Sequence, residues 1–354
     1  MMTTAEIAGL RFTLQQISDT RFTTPGELVA WMGAMQAQDY RMSKWAIGMR
    51  LPGIMNEAVE QAIDKGEIVR THVLRPTWHL VAAKDIRWML SLTAPHINAA
   101  SAAQRRSLGI DEQLLTRTTD IIIKALSGGR QLTREELMQE IRKTGIVTDT
   151  HRAVHIMFDA ELKAIVCNGT MRGPKLTYRL MDEIIPPGDI YNREEALHQL
   201  ALRYFSSHGP ATVQDFQWWS GLPAGDTRKA LEMIKKDMVC IKSDQKEYWV
   251  PRETVFLSKN IPEVCFLPAF DEFLVSYKDR TAVLHPDWHR EAITINGIFK
   301  PSILVEGKVA GTWKHTVKKN KLQIETGYFD PAMSLDAAVI DRALERLNDF
   351  WERR

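Results

Sequence analysis

The 354-residue sequence predicts an α+β chain: three tandem winged-helix units, then a small C-terminal β-barrel or sheet subdomain and a terminal helix. Three observations carry this reading. The order helix, helix, helix, two-stranded hairpin recurs three times before Asn260. Helix-capping residues and glycine stops recur at matching places in the repeats. Beyond Asn260 helical periodicity gives way to short alternating segments with glycine turns. The expected segments are 1–108, 109–188, 189–258 and 259–354.

In the first unit Thr24 precedes Pro25 at the head of a helix over Gly26–Met35. Gln36 and Gln38 fall at the end of that helix, and Asp39–Gly53 is an insertion relative to the other units. Asn56–Asp64 is the third helix, stopped by Gly66, and Glu67–Arg70 with Thr77–Val81 supply the hairpin, or wing. In the second unit Glu112–Leu126 ends at Gly128-Gly129, and Thr133 with Glu136 is a capping box for Glu135–Lys143. Asp149 or Thr150 opens a helix reaching Lys163, and Ile165–Cys167 pairs with Leu176–Arg179.

The third unit begins with Glu194–Ser207, whose Leu197, Leu200, Ala201 and Tyr204 share one face. Thr212 caps a short helix over Val213–Trp219. Asp226–Lys236 follows, and Met238–Ile241 and Tyr248–Val250 form the hairpin. In the last segment Val264–Leu267, Phe273–Val275, Ala292–Ile295, Ser302–Val305, Val309–Trp313 and Lys321–Glu325 read as strands. Leu335–Trp351 closes the chain as an amphipathic helix.

Hydrophobic content of 44% and charged content of 25% are those of a soluble globular protein. No apolar run approaches the roughly 20 residues needed to span a bilayer, and the first residues lack a signal pattern. A cytoplasmic location, no membrane partner and a monomer are the expectations. Cys167, Cys240 and Cys265 are widely spaced and odd in number, so buried free thiols are expected in place of a disulfide framework. A net charge of +2 means that any polyanion must be met by a local patch.

The chemistry concentrates in Met35-Gln-Ala-Gln-Asp-Tyr40. A carboxamide has no useful pKa, so Gln36 and Gln38 cannot act as ordinary acid or base; they can orient a water and set a carbonyl dipole beside a developing cation. In a regular helix residues two apart point about 200° away from each other, so the pair converges only if the helix ends there. His151 and His155, and His285 and His289, are spaced four apart. Neither pair has the glutamate of a metalloprotease motif, so structural or surface roles and no metal are expected. Asp271-Glu272 and Asp279-Arg280 are explained by turn capping and an ion pair. Basic residues gather in the first wing, at Arg105-Arg106 and between Lys300 and Lys321. The helix over Asn56–Asp64 is acidic, which argues against groove reading by that element.

The tandem units, Met35–Tyr40 with Arg50 after it, Val69-Arg-Thr-His-Val-Leu-Arg-Pro-Thr-Trp-His-Leu-Val81 and Phe266-Leu-Pro-Ala-Phe-Asp271 together resemble the AlkZ-like winged-helix DNA glycosylases, over nearly the whole chain. The resemblance implies removal of N7-alkylated purines from double-stranded DNA, including unhooking of interstrand crosslinks, without metal or cofactor. The family's catalytic motif is Gln-Φ-Gln in one branch and Gln-Φ-Asp in the other, and Gln36-Ala37-Gln38 matches the first. The residues expected at DNA are Arg50, Arg70, His72, Arg75, Thr77, His79, Arg105, Arg106, Lys314, Lys318 and Lys319. Two rival classes share the fold: a non-catalytic DNA-binding regulator, which keeps the basic surface without convergent glutamines, and a protein-interaction scaffold, which lacks both.

Overall fold

The structure, a computed structural model, describes residues 2–256, 261–318, 321–333 and 335–351. Helices α1 (Thr4–Leu14) and α2 (Pro25–Met32), strand β1 (Ala34–Gln36) and helices α3 (Tyr40–Gly48) and α4 (Asn56–Asp64) come first. Strands β2 (Ile68–Val73) and β3 (Thr77–Ala82) lead into helices α5 (Ala83–Ser107) and α6 (Glu112–Leu126). Next come β4 (Leu132–Thr133), α7 (Arg134–Arg142), α8 (Thr150–Leu162), β5 (Val166–Arg172) and β6 (Lys175–Leu180). Helices α9 (Arg193–His208), α10 (Val213–Ser220) and α11 (Ala224–Ile234) precede β7 (Met238–Ser243) and β8 (Lys246–Pro251). The last part holds β9 (Val264–Leu267), α12 (Glu272–Val275), α13 (His289–Ala292), β10 (Ser302–Val305), β11 (Lys308–Lys318), β12 (Lys321–Tyr328) and α14 (Ala337–Trp351). Contacts divide the chain into two compact units, Met1–Glu60 with Leu197–Arg354, and Gln61–Ala196.

Local signals set most helix starts. Thr3, Thr24, Thr133 and Thr212 each accept the N–H of the residue three positions on, while the acidic side chain there returns to the threonine N–H. This reciprocal bonding satisfies two backbone donors that a helix start otherwise leaves open. In the unit Gln61–Ala196, β2 and β3 pair antiparallel with Arg70 opposite Leu80 and His72 opposite Trp78. A second sheet there runs β4-β6-β5. Leu137, Ile141, Ile156, Met157 and Val166 fill the core beneath it.

In the other unit β7 and β8 form a hairpin, and β12-β11-β10-β9 make an open antiparallel sheet. Its core is aromatic: Tyr204 lies 5.3 Å from Phe216 and 5.0 Å from Trp219, and Phe12 meets Phe273 edge-on at 4.6 Å. Helix α14 packs its Phe350 against Trp45 of α3 at 5.4 Å. A Cβ at Gly48 would run into the Phe350 ring, so glycine is what lets the two helices approach.

Two expected strands are not strands. Phe273–Val275 lies in helix α12, because the Asp271 carboxylate accepts the Phe273 N–H and starts a helical turn. Within Ala292–Ile295, Ala292 ends α13 and Ile293 makes only an isolated bridge to Phe299. Helix α5, with Pro95 inside it, occupies a stretch to which the sequence reading assigned no element. The three thiols are free, but Cys240 is exposed on β7 where a buried thiol was expected. Among the described residues no helix is long and apolar enough to cross a membrane.

Candidate active site

The glutamine pair does not sit on a helix end. Helix α2 stops at Met32, and Gly33 takes a φ of 77° that a residue with a side chain rarely adopts. The chain then runs extended through β1, and Gln38 lies in the bend before Asp39, whose carboxylate accepts the Met42 N–H at 3.0 Å to cap α3. The helical divergence of about 200° between residues two apart therefore does not apply. Met35 reads as an apolar helix position in the sequence, and Gly33 was the overlooked break.

Gln36 is buried and Gln38 is exposed. The Gln36 side-chain Oε1 has almost no solvent contact and meets no hydrogen-bond donor among the described residues. Buried carbonyl oxygens of this kind normally accept a bond, and this one has no such partner among the described residues. The Gln36 backbone N–H donates to Glu272 Oε1 at 2.5 Å. The sequence alone explains Asp271-Glu272 by turn capping and an ion pair, both structural roles. The available signal was a pair of carboxylates set between Phe270 and the apolar Phe273–Val275.

Glu272 is itself buried, and its Oε2 accepts from Trp219 Nε1 at 3.2 Å and from the Ser276 hydroxyl. His208 Nε2 lies 3.4 Å from the same oxygen. Burial alone would raise this carboxyl's pKa, but His208, Ser276 and the Gln36 N–H outweigh it and hold the group at about 2 against an ordinary 4.5. Burial lowers the pKa of His208. The sign follows by linkage: a carboxyl depressed in the folded state contributes stability that is present above 4.5 and is lost as pH falls toward 2. Acid unfolding followed by circular dichroism should therefore lose part of its pH dependence in that window in Glu272→Gln. An unchanged profile would remove Glu272 from the acid response.

Arg50, expected at phosphate, is instead sealed inside the unit Met1–Glu60 with Leu197–Arg354. Its guanidinium makes two parallel bonds to Asp271, at 2.8 and 2.9 Å, with both side chains fully buried. It also donates to Gln15 O at 2.9 Å, Ala46 O at 2.9 Å and Gln15 Oε1 at 3.0 Å. Burial opposes its charge, and Asp271 more than offsets that, so its pKa is raised. Every donor is committed inside the protein, leaving none for DNA. The pair ties the end of α3 to the start of α12.

The wing residues in the unit Gln61–Ala196 are more buried than their charge suggested. Arg70 is 3% exposed, donates to Asn168 Oδ1 at 2.7 Å and lies 4.2 Å over the Trp78 ring. His79 is 1% exposed, with Nδ1 bonded to Thr77 O at 2.9 Å. His72 is half-buried, joins Glu161 through Nδ1 and packs 4.0 Å from Trp78. Arg70 and His79 thus anchor the hairpin inside the fold and present little surface of their own. Arg75 and Thr77 are half-buried. Arg105 is half-buried and bonds Asn98 Oδ1 at 2.9 Å, whereas Arg106 is exposed.

Lys314 is exposed on β11 opposite Glu325, Lys318 ends that strand, and Lys319 lies outside the described residues. His151 is exposed and His155 buried on α8, while His285 and His289 are exposed.

The sequence model of the family described as "DNA glycosylase AlkZ-like" matches residues 29–350. A curated relative, the interstrand DNA cross-link repair glycosylase of Streptomyces sahachiroi, is 22% identical over 306 residues, 81% of this chain and 81% of that protein. The solved structure of Streptomyces sahachiroi DNA glycosylase AlkZ aligns with a TM-score of 0.82 at 19% identity, over 98% of this chain and 96% of that one. That likeness is one of fold. With the family match running from α2 into α14, this chain belongs to the AlkZ-like family of DNA glycosylases, enzymes that act on DNA.

Proposed function

We propose that this protein excises N7-alkylated purines from duplex DNA by hydrolysis, with Gln36 and Gln38 as the catalytic residues, and that its substrates extend to interstrand crosslinks. The observation that carries the proposal is the Gln36 carboxamide, buried with an acceptor oxygen that no donor of the described chain reaches, two residues from the exposed Gln38. An N7-alkylguanine is already cationic. When the bond from C1′ to N9 breaks, its electron pair stays on the purine, which leaves neutral and needs no general acid. Water then adds to the oxocarbenium-like sugar and releases a proton to solvent. Two carbonyl dipoles fixed beside that sugar stabilise its charge and hold the water.

The recurring order of three helices and a hairpin supports reading the scaffold as tandem winged helices, each a nucleic-acid-binding shape. The crosslink activity named for the Streptomyces relative supports the wider substrate range. A crosslinked base stays tied to the opposite strand and cannot swing fully out of the duplex, so an exposed Gln38 suits it better than a closed flipping pocket. The reading includes action as a monomer and needs no metal or cofactor. The direct test is base release from duplexes carrying N7-methylguanine or a nitrogen-mustard crosslink. Release from neither would remove the proposed activity.

Phosphate contact is proposed for the solvent-facing cations. Lys314→Ala and Arg106→Ala should each reduce the slope of log affinity against log salt by about one. Unchanged slopes in both variants would take those side chains off the DNA.

A further inference from the structure

We propose that Glu272 is a positioning residue for Gln36: its buried carboxylate grips the Gln36 backbone N–H and thereby sets where the Gln36 carboxamide stands. The inference rests on the catalytic reading of Gln36 given above. The bond spans 236 positions in sequence, at 2.5 Å, and joins β1 to the first turn of α12. An N–H donated to an ionised carboxylate makes a shorter and stronger bond than one donated to a neutral acceptor.

What makes Glu272 a rigid anchor is the rest of its shell. Trp219 of α10 and Ser276 at the end of α12 hold its other oxygen, and His208 of α9 closes the same side. Three helices thus fix one side chain. The backbone entering α12 is fixed as well. Phe270 stands at a φ of 59°, a region a bulky residue adopts only when its surroundings impose it. The next residue, Asp271, is locked by Arg50. The Phe270 turn and the Arg50 clamp together aim Glu272 at β1.

Placement matters because a preorganised dipole acts only where charge develops. Errors of half an ångström in a catalytic group are enough to degrade it. Strand β1 is three residues long and follows a glycine, so its own length gives it little stiffness. The carboxylate adds a fixed point at the end of this short strand.

The test is single-turnover release of N7-methylguanine by wild type, Glu272→Gln, Gln36→Ala and the double variant, with duplex affinity measured in parallel. Glu272→Gln should slow release by about tenfold or more, by analogy with loosened catalytic groups, and leave affinity nearly unchanged. In the Gln36→Ala background the same substitution should slow release no further, because the side chain it positions is gone. An equal slowing in both backgrounds would show Glu272 acting independently of Gln36 and overturn the proposal. So would a normal rate for Glu272→Gln beside a slow Gln36→Ala. A normal rate for Gln36→Ala would instead remove the catalytic reading, and the positioning role with it. Independently of any variant, the Gln36 amide of the wild-type protein should exchange slowly and resonate downfield in NMR spectra. A fast-exchanging Gln36 amide would contradict the bond on which the inference stands.

Discussion

Gln38→Ala is expected to slow single-turnover excision of N7-methylguanine by on the order of 100- to 1000-fold, the usual loss when one preorganised dipole is removed from a developing charge. Duplex affinity should change little, because a neutral carboxamide makes no ion pair with phosphate and contributes little to the counterion term. Gln36→Ala should fall in the same range. Its side chain caps no helix, since α2 has already ended at Met32, and urea unfolding of the variant checks what its loss from the interior costs in stability. Gln38→Glu should retain activity, as a carboxylate can hold the same water and face the same cation. The decisive comparison is wild type against the Gln36→Ala, Gln38→Ala double variant. Equal excision rates would leave a DNA-binding protein without this chemistry and restore the regulator as the better account.

The largest loss of stability should come from breaking the Arg50–Asp271 pair. Removing one partner strands an ion where nothing else can neutralise it, and in buried pairs this costs about 3–5 kcal/mol. Asp271→Ala also removes the cap of α12, typically worth about 1 kcal/mol more. Urea unfolding of Arg50→Ala and Asp271→Ala, with the double variant to close the cycle, measures the coupling. A loss below 1 kcal/mol in either single variant would show the pair to be solvated, contrary to its burial. Arg50→Lys separates the structural role from a DNA role. Lysine cannot make the two parallel bonds to Asp271, so stability should fall while the salt dependence of binding stays as in wild type.

The sequence by itself determined the elements whose causes are local. Thr133 with Glu136 fixed the start of α7, and Glu112–Leu126 appeared with the bounds its apolar spacing gave. The three hairpins β2–β3, β5–β6 and β7–β8 were equally legible, whereas α5 and the break after Met32 were not. These signals act through bonds spanning about four residues, so a linear reading captures them. The tertiary structure decided what depends on distant partners. Phe273–Val275 has the composition of a strand, yet Asp271, itself held by a guanidinium 221 positions earlier, turns it into a helix. Arg50 and Arg70 read as surface cations because charge alone favours water. Asp271 in the one case and Asn168 in the other supply the acceptors that let them be buried, and no local pattern announces either. Glu272 could be seen only as a turn carboxylate until the fold brought it to the Gln36 N–H. Whether a polar group faces solvent or holds a site together depends on the desolvation its environment imposes and the partners that compensate for it, and both are set by residues far away in sequence.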